Sequence, residues 1–288
     1  MGNYYYLISG LPELQLDDQK LKHSLADFKA ELLENLSEAD IRLTSYFFMQ
    51  FDNANLLKIL INKEAELDPL GNLNREDLLE ILLQFNESDE PAHSLIYSYY
   101  KKFVPAFQAQ QPLYTGMSWE DQLASLYFDY ASLCKNEFVA EWYRFNLNVT
   151  NILAAVNCRK YGFDREVSIV GSGEISEAIR YSNSKDFGIS PIFPEVEDVL
   201  RIADESDLYE RERKMDLLRW NWLEEKGFFH YFDVEHLFIY LIRLELLERW
   251  VRLEKETGLK VFREMIGALQ QSFEFPNEFT LKKVVGNK

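Results

Sequence analysis

Apolar residues recur every three or four positions along most of the chain, as in the run Leu21, Leu25 and Phe28. This spacing places them on one face of a helix and predicts a succession of amphipathic helices. Alternating patterns are scarce. The best candidate strand is residues 4–8, an aromatic run that ends before Gly10, and an extended lead-in explains it equally well. We therefore predict an all-α fold.

Polar caps and chain breakers divide this pattern into three parts. Asn74 is followed three residues later by Asp77, and Ser118 by Asp121, which are side chains that bind the free N–H groups at a helix start. Gly and Pro interrupt the pattern near residues 69–71, 111–116, 171–173 and 188–194. We predict three helical units, at residues 1–112, 113–190 and 191–288, each a small bundle.

One stretch of sequence occurs twice. Residues 51–63, FDNANLLKILINK, and residues 145–159, FNLNVTNILAAVNCR, share a pattern when Asn55 is aligned with Asn151. The alignment pairs Asp52 with Asn148, Asn55 with Asn151 and Lys63 with Arg159, and apolar residues recur between them. The first pair suits a helix N-cap, and the basic pair suits the negative end of a helix dipole. The repetition predicts related bundles, with a structural role for these residues.

The C-terminal part carries a long, charged amphipathic pattern from residue 232 to Gly258. Its characteristic positions are Tyr240, Leu241, Glu245, Arg249, Val251 and Arg252. A Glu245–Arg249 pair at i,i+4 contributes only about 0.2–0.5 kcal/mol, too little to explain the pattern as a stability device. The spacing resembles the C-terminal segment of the axial subunit of rotary V-type ATPases, a family with archaeal, bacterial and eukaryotic forms. The repeat around Asn55 and Asn151 is similar to the one that this family carries.

The resemblance implies three pseudo-symmetric helical bundles arranged as a funnel about a pseudo-threefold axis. It further implies a non-catalytic central-rotor subunit that links the central stalk subunits to the membrane proteolipid ring and transmits torque for H⁺ or Na⁺ transport. The second copy has Asn148 where the family has Asp, and the third has Asp233 with His236 in place of Asn. With these departures, the chain resembles a divergent bacterial branch of the family that is encoded with V-type ATPase genes.

Charge and hydropathy narrow the range of partners. The chain has 31 basic and 48 acidic residues, and its net charge of −17 argues against nucleic acid as a ligand. No apolar run approaches the roughly 20 residues of a membrane span, and the N-terminus lacks a signal-peptide pattern. We expect a cytoplasmic chain without direct membrane insertion, held at the inner face of the membrane through the ATPase complex. Cys134 and Cys158 are expected to be reduced core residues.

Two local patterns carry candidate chemistry, and each has a plainer interpretation. Residues 230–236 offer possible metal ligands, but His230 and His236 do not have the i,i+4 spacing of a helical zinc pair, and a loop ending at an Asp233 N-cap explains the segment. The Gly-Ser-Gly turn at 171–173 is followed by Glu174, which would repel a phosphate. We predict no catalytic, cofactor or metal site.

Trp220 and Trp222 suggest an interface. They lie two residues apart on a predicted helix and so point to different sides, which predicts that one of them contacts a partner. Two alternatives to a rotor subunit stay open. A free-standing α-helical repeat scaffold would bind other proteins through an acidic face, and an enzyme would require a pocket with converging polar groups.

Overall fold

The computed structural model describes residues 4–16, 18, 20–87 and 96–253, and the regular elements within them are helical. The helices are α1 (Tyr5–Gly10), α2 (Leu25–Asn35), α3 (Glu38–Ile61), α4 (Arg75–Glu87), α5 (Tyr100–Gln108), α6 (Trp119–Ala131), α7 (Glu137–Tyr161), α8 (Glu174–Tyr181), α9 (Val196–Ala203), α10 (Leu208–Lys226) and α11 (Val234–Arg252). A short 3-10 helix, Gly227–Phe229, joins α10 to α11. The prediction of an all-α fold is confirmed for the described residues.

Several helices begin where a polar side chain replaces a missing backbone partner. Asn74 and Asp77 exchange two hydrogen bonds of 2.9 Å at the start of α4, as predicted. Ser118 accepts the backbone N–H of Asp121 to begin α6. Asp233 accepts the backbone N–H of a residue in the first turn of α11, which confirms it as an N-cap.

The N-terminal segment is a helix, so the candidate strand is wrong. The backbone N–H of Tyr4 donates to the carbonyl of Phe232 at 2.8 Å, and the Tyr4 hydroxyl donates to the carboxylate of Asp40. These contacts anchor the segment on the starts of α11 and α3. Because no strand lies among the described residues to pair with it, the β-forming aromatic residues take the helical conformation that these tertiary contacts favour.

One connected core runs through all three predicted units. Helix α7 packs against α8 and α9, α3 packs against α6, and α11 packs against both α2 and α3. Fully buried side chains such as Phe28, Ile152 and Phe238 belong to the same cluster. The boundaries 1–112, 113–190 and 191–288 stay a prediction, since contacts between these ranges are extensive. The end of the third range, residues 254–288, lies outside the described residues.

Asp52 and Asn148 do not cap helices. Helix α3 starts at the cap Ser37 and α7 at the cap Asn136, so both residues lie inside long helices and are buried, at 0% and 8% exposure. The N-cap prediction is wrong because the helices begin more than two turns earlier. Asp233 does cap α11 and is therefore not a positional counterpart of Asp52, contrary to the alignment of the third copy.

Two further expectations concern the ends of helices and the cysteines. Arg159 lies in the last turn of α7, as predicted, whereas Lys63 lies just beyond the end of α3. Cys134 is partly buried, Cys158 is buried, and both are free thiols. Helix α11 covers the predicted C-terminal pattern as far as Arg252, where the helix ends, and residues 254–258 of the pattern lie outside the described residues. Within the part of the chain that is described, no helix is long and apolar enough to cross a membrane.

Candidate functional site

The repeated asparagine performs the same task in both copies. The Asn55 amide donates to the carbonyl of Asp68 at 2.9 Å and accepts its N–H at 2.8 Å. The Asn151 amide donates to the carbonyl of Val170 at 2.8 Å and accepts its N–H at 3.0 Å. Both asparagines are almost fully buried. Each therefore clamps the loop that follows its long helix to the C-terminal half of that helix, and the repeat in sequence is a repeat in structure.

Asp52 organises the first of these loops. Its carboxylate accepts the backbone N–H of Leu73 at 2.9 Å, the side-chain amide of Asn72 at 2.8 Å and the hydroxyl of Tyr97 at 2.7 Å. Burial raises the pKa of Asp52 despite these hydrogen bonds. A Cβ on Gly71 would lie 2.7 Å from Oδ1 of Asp52, which explains why this loop has a glycine here. Asp52 thus binds side chains and backbone distant in sequence, which the sequence pattern alone does not reveal.

A partly buried basic side chain also holds each loop, and it lies outside the two aligned stretches of the repeat. Lys29 Nζ donates to the carbonyls of Leu70 and Gly71 at 2.9 and 2.5 Å. In the second copy, Arg180 donates to the carbonyls of Ile169 and Gly171 at 2.9 and 2.6 Å. Burial lowers the pKa of Lys29. The two cations come from helices on opposite sides of their loops in sequence, so an alignment of the repeat does not pair them.

The basic positions of the repeat are less alike. Arg159 donates to the backbone carbonyls of Ser184 and Lys185 at 2.7 and 3.1 Å, and its guanidinium lies 3.9 Å from the ring centre of Phe187. The side chain of Lys63 is exposed, and its backbone carbonyl accepts a hydrogen bond from Arg75. Arg159 therefore organises a loop through its side chain, and Lys63 does not.

A polar cavity of about 200 Å³ is lined by residues of α3, α6, α7, α10 and α11. Aromatic side chains from α3, α6 and α7 form part of its wall. Its polar lining consists of Gln50, Asn146, Arg219, Glu245 and Arg249. The volume is below the range of about 300–1,000 Å³ that is typical of small-molecule sites, so the cavity suits individual side chains of a partner better. Helices from all three predicted units meet at this cavity.

Two arginines of the cavity lining, Arg219 and Arg249, belong to an ionic network. Asp216 is fully buried and accepts Arg219 at 3.0 Å, Trp250 Nε1 at 2.8 Å and the guanidinium of Arg249. Arg219 also donates from Nε to Asn146 at 3.0 Å, which connects α10 to α7. The two arginines offset the charge of a carboxylate that water does not reach. Sequence analysis singled out Arg249 but not Asp216, its partner on α10.

The remaining positions of the C-terminal pattern lie along α11. Glu245 faces the cavity, and burial raises the pKa of its carboxyl, although Arg249 acts in the opposite direction. Tyr240 packs against Phe28 of α2 at 4.8 Å between ring centres, and burial raises its pKa to about 12. Arg252, whose side chain is largely exposed, pairs with Glu248 at 2.8 Å.

Trp220 and Trp222 are both buried in the core. Their exposures are 7% and 8%. Trp222 stacks on Phe145 of α7 at 4.9 Å, while Trp220 lies beneath Arg243 of α11, 4.5 Å from its guanidinium carbon. Helix α10 therefore packs against α7 through Trp222 and against α11 through Trp220, and both of these faces are buried. A contact of either indole with a partner stays a prediction.

Six exposed aromatic side chains gather around the 3-10 helix and α1. They are Tyr5, Tyr6, Phe228, Phe229, Tyr231 and Phe232, called here the aromatic surface. Tyr6 and Phe229 are 91% and 82% exposed. The rings of Tyr5 and Phe232 lie 4.9 Å apart, so the two segments are continuous. Exposed apolar side chains grouped in this way make the aromatic surface a candidate interaction site.

Three possible metal ligands lie beside the aromatic surface. His230, Asp233 and Glu235 each offer one ligand atom, and these atoms lie within 4.8 Å of one another. His230 and Asp233 share a hydrogen bond of 2.7 Å between Nδ1 and Oδ2. Three of the residues that the spacing argument set aside are therefore close in space.

Comparison with known families places the chain in one of them. The model of DUF2764, described as "Protein of unknown function", matches residues 1–273. The chain belongs to the DUF2764 family. No curated protein and no solved structure matches it. The family match spans all three predicted units, so the DUF2764 family covers the chain as a whole rather than one of its bundles.

Proposed function

We propose that this DUF2764 chain is a non-catalytic central-rotor subunit of a V-type ATPase, linking the central stalk to the proteolipid ring. It would transmit torque for H⁺ or Na⁺ transport from the cytoplasmic face of the membrane. The observation that carries the proposal is that helices from all three predicted units line one polar cavity: α3 from the first, α6 and α7 from the second, and α10 and α11 from the third. That convergence is what a funnel of three bundles about a pseudo-threefold axis requires.

The repeated loop clamp supports the same arrangement. Asn55 and Asn151 hold equivalent loops against α3 and α7 with the same pair of backbone hydrogen bonds. Bundles that share such a detail are expected to have arisen as copies of one unit, and copies pack with related interfaces. In the proposed funnel, the clamps keep the loops at the ends of the bundles rigid, so that torque passes through the subunit without being absorbed by loop motion.

The cavity suits a contact with the foot of the stalk. Its volume would accept a few side chains of a partner rather than a whole helix, whose diameter is about 10–12 Å. Arg219 and Arg249 are held by Asp216, so a partner would meet charges that are already fixed in place. Glu245 faces the same space and offers a carboxyl to a donor from the stalk.

The aromatic surface suits a contact with the proteolipid ring. Tyr6 and Phe229 are almost wholly exposed, and burying such side chains in a protein interface is favourable by about 1.5–3 kcal/mol each. The net charge of −17 opposes adsorption to anionic lipid, so the ring protein is a better occupant than the bilayer. In this proposal the subunit binds the ring without inserting into the membrane.

The same aromatic surface favours a second candidate function. A free-standing helical scaffold would also use an exposed aromatic patch to hold a protein partner, since aromatic residues dominate binding hot spots. The two functions differ in their partners. A rotor subunit is recovered with membranes through the ring and the stalk, whereas a scaffold is not.

The experiment is a mild-detergent purification of the tagged chain from its native membranes, followed by mass spectrometry. The wild-type chain should recover proteolipid and stalk subunits at low and high salt. The double variant Tyr6→Ser/Phe229→Ser should lose the ring, while Ile61→Ser/Leu133→Ser, which changes two exposed apolar residues elsewhere, should keep it. A soluble chain without ATPase subunits at both salt concentrations would refute the rotor proposal and favour the scaffold.

A further inference from the structure

We propose that His230, Asp233 and Glu235 form a binding site for a divalent transition-metal ion such as Zn²⁺. The site lies at the base of the aromatic surface, where the 3-10 helix Gly227–Phe229 turns into α11. Its role would be structural, because a metal there would fix the turn that displays Phe228 and Phe229. This inference is independent of the rotor function and would hold equally for a scaffold.

The spacing of the ligand atoms suits a small cation. The three atoms lie within 4.8 Å of one another. Metal–ligand bonds of about 2.0–2.2 Å place neighbouring ligands roughly 3–4 Å apart, so small side-chain rotations would close the site. His230 Nδ1 and Asp233 Oδ2 are 2.7 Å apart and share a proton, a position that a cation can take.

Glu235 supplies the observation that points to a ligand. The residue is only 4% exposed, and its Oε2 has no hydrogen-bond partner among the described residues. A buried carboxylate oxygen without a partner is unfavourable, and a cation would satisfy it. The other oxygen, Oε1, accepts the side-chain amide of Asn136 at 2.7 Å. One oxygen is thus held in place while the other is left for a ligand.

Neighbouring residues hold two of the ligand side chains in place, as is usual around metal sites. Asn136 is itself fixed as the N-cap of α7, so it holds the Glu235 carboxylate at a set angle. The His230 ring packs edge-on against Phe138 at 5.4 Å, and the His230 carbonyl accepts a hydrogen bond of 2.9 Å from His236. These contacts limit the entropy that ligand binding would remove.

Charge and donor type favour a transition metal. The N-terminal end of α11 carries roughly half a positive charge, which repels a cation, but the two carboxylates outweigh it. One imidazole nitrogen with two carboxylate oxygens is a donor set used for zinc and for other first-row divalent metals. Three protein ligands leave at least one position for water.

The test is calorimetric titration of the untagged, EDTA-treated chain with ZnCl₂. The wild-type chain should bind one Zn²⁺ and show a higher melting temperature with zinc than without it. Glu235→Gln and His230→Ala should each weaken zinc binding by more than about tenfold, because each removes a direct ligand. His23→Ala, which removes a histidine that lies beside Glu31 and far from the site in sequence, should bind zinc like the wild type.

Glu235→Gln tests the site even if His230→Ala is unstable. Glu235→Gln retains the size of the side chain and removes the unpaired charge, so its metal-free form should be at least as stable as the wild type. Zinc should raise the melting temperature of the wild type and not that of this variant. Absence of saturable zinc binding to the wild type, or equal binding by Glu235→Gln, would overturn the proposal.

Discussion

Replacing Asn151 by alanine tests whether the clamp holds the second bundle together. The substitution removes two hydrogen bonds to the backbone of Val170, at 2.8 and 3.0 Å, and one of 3.1 Å to Ser176. All three residues are buried, so the N–H and the carbonyl of Val170 would lose their partners without gaining water. Each buried unsatisfied group costs about 1–3 kcal/mol. We expect the free energy of unfolding to fall by about 3 kcal/mol.

The assay is urea denaturation followed by tryptophan fluorescence and far-UV circular dichroism. With a slope of about 3 kcal/mol per molar urea, the midpoint should fall by about 1 M. Asn157→Ala is the matched control, because it lies on the same helix but is partly exposed, and it should change stability by less than about 0.5 kcal/mol. If both variants unfold at the same urea concentration, the clamp contributes nothing and the structural meaning of the repeat is lost.

Three further predictions concern stability measured in the same way. Asp216→Asn should lower the free energy of unfolding by about 3–5 kcal/mol, because Arg219 and Arg249 would then lack a negatively charged partner. A loss below about 1 kcal/mol would contradict the network. Gly162→Ala should cost about 1 kcal/mol for its φ of +73°, and Gly171→Ala should cost more, because its φ is +81° and a Cβ would lie 2.9 Å from Leu147; the opposite order would contradict the packing. Burial raises the pKa of Glu245, so this carboxyl binds its proton more tightly in the folded state than in the unfolded state. The folded state therefore loses stability as pH rises from the ordinary pKa of Glu through the raised pKa of Glu245. Glu245→Gln should therefore be more stable than the wild type at pH 7, and this advantage should shrink as pH falls toward about 4; a constant difference would contradict it.

The sequence was sufficient for the class of the fold and for the parts of the site that depend on local chemistry. A helix cap needs only a side chain within three residues of a free N–H, so Asn74, Ser118 and Asp233 could be identified without a structure. The pairing of Asn55 with Asn151 also came from sequence. Each holds a loop that follows its own helix, and a repeat preserves such a neighbour relation.

Errors arose where a residue depends on partners distant in sequence. Asp52 has the chemistry of a helix cap, but its partners Leu73, Asn72 and Tyr97 lie beyond the end of its own helix at Ile61. No local rule separates a buried acceptor of this kind from a cap. The N-terminal aromatic run is similar, because its helix depends on contacts with distant residues.

The cavity and the metal-ligand group could not be derived from spacing. Asp216 meets Arg249 only because α10 and α11 fold back on each other through the 3-10 helix. The same turn brings His230, Asp233 and Glu235 together, although their spacing matches no helical ligand pair. Trp222 is buried for a related reason, since neighbouring helices cover α10 on more than one face. Tertiary contacts decide these features, and a single sequence contains no record of them.

The most direct test of the rotor proposal is a measurement of assembly from purified parts. The chain, the proteolipid ring in detergent and the central stalk should be mixed and weighed as single particles by mass photometry. We predict a complex that contains one copy of the chain per ring, and we predict that the stalk joins the ring only when the chain is present. A stalk that binds the ring equally well without the chain, or a chain that stays a free monomer in the mixture, would contradict the account.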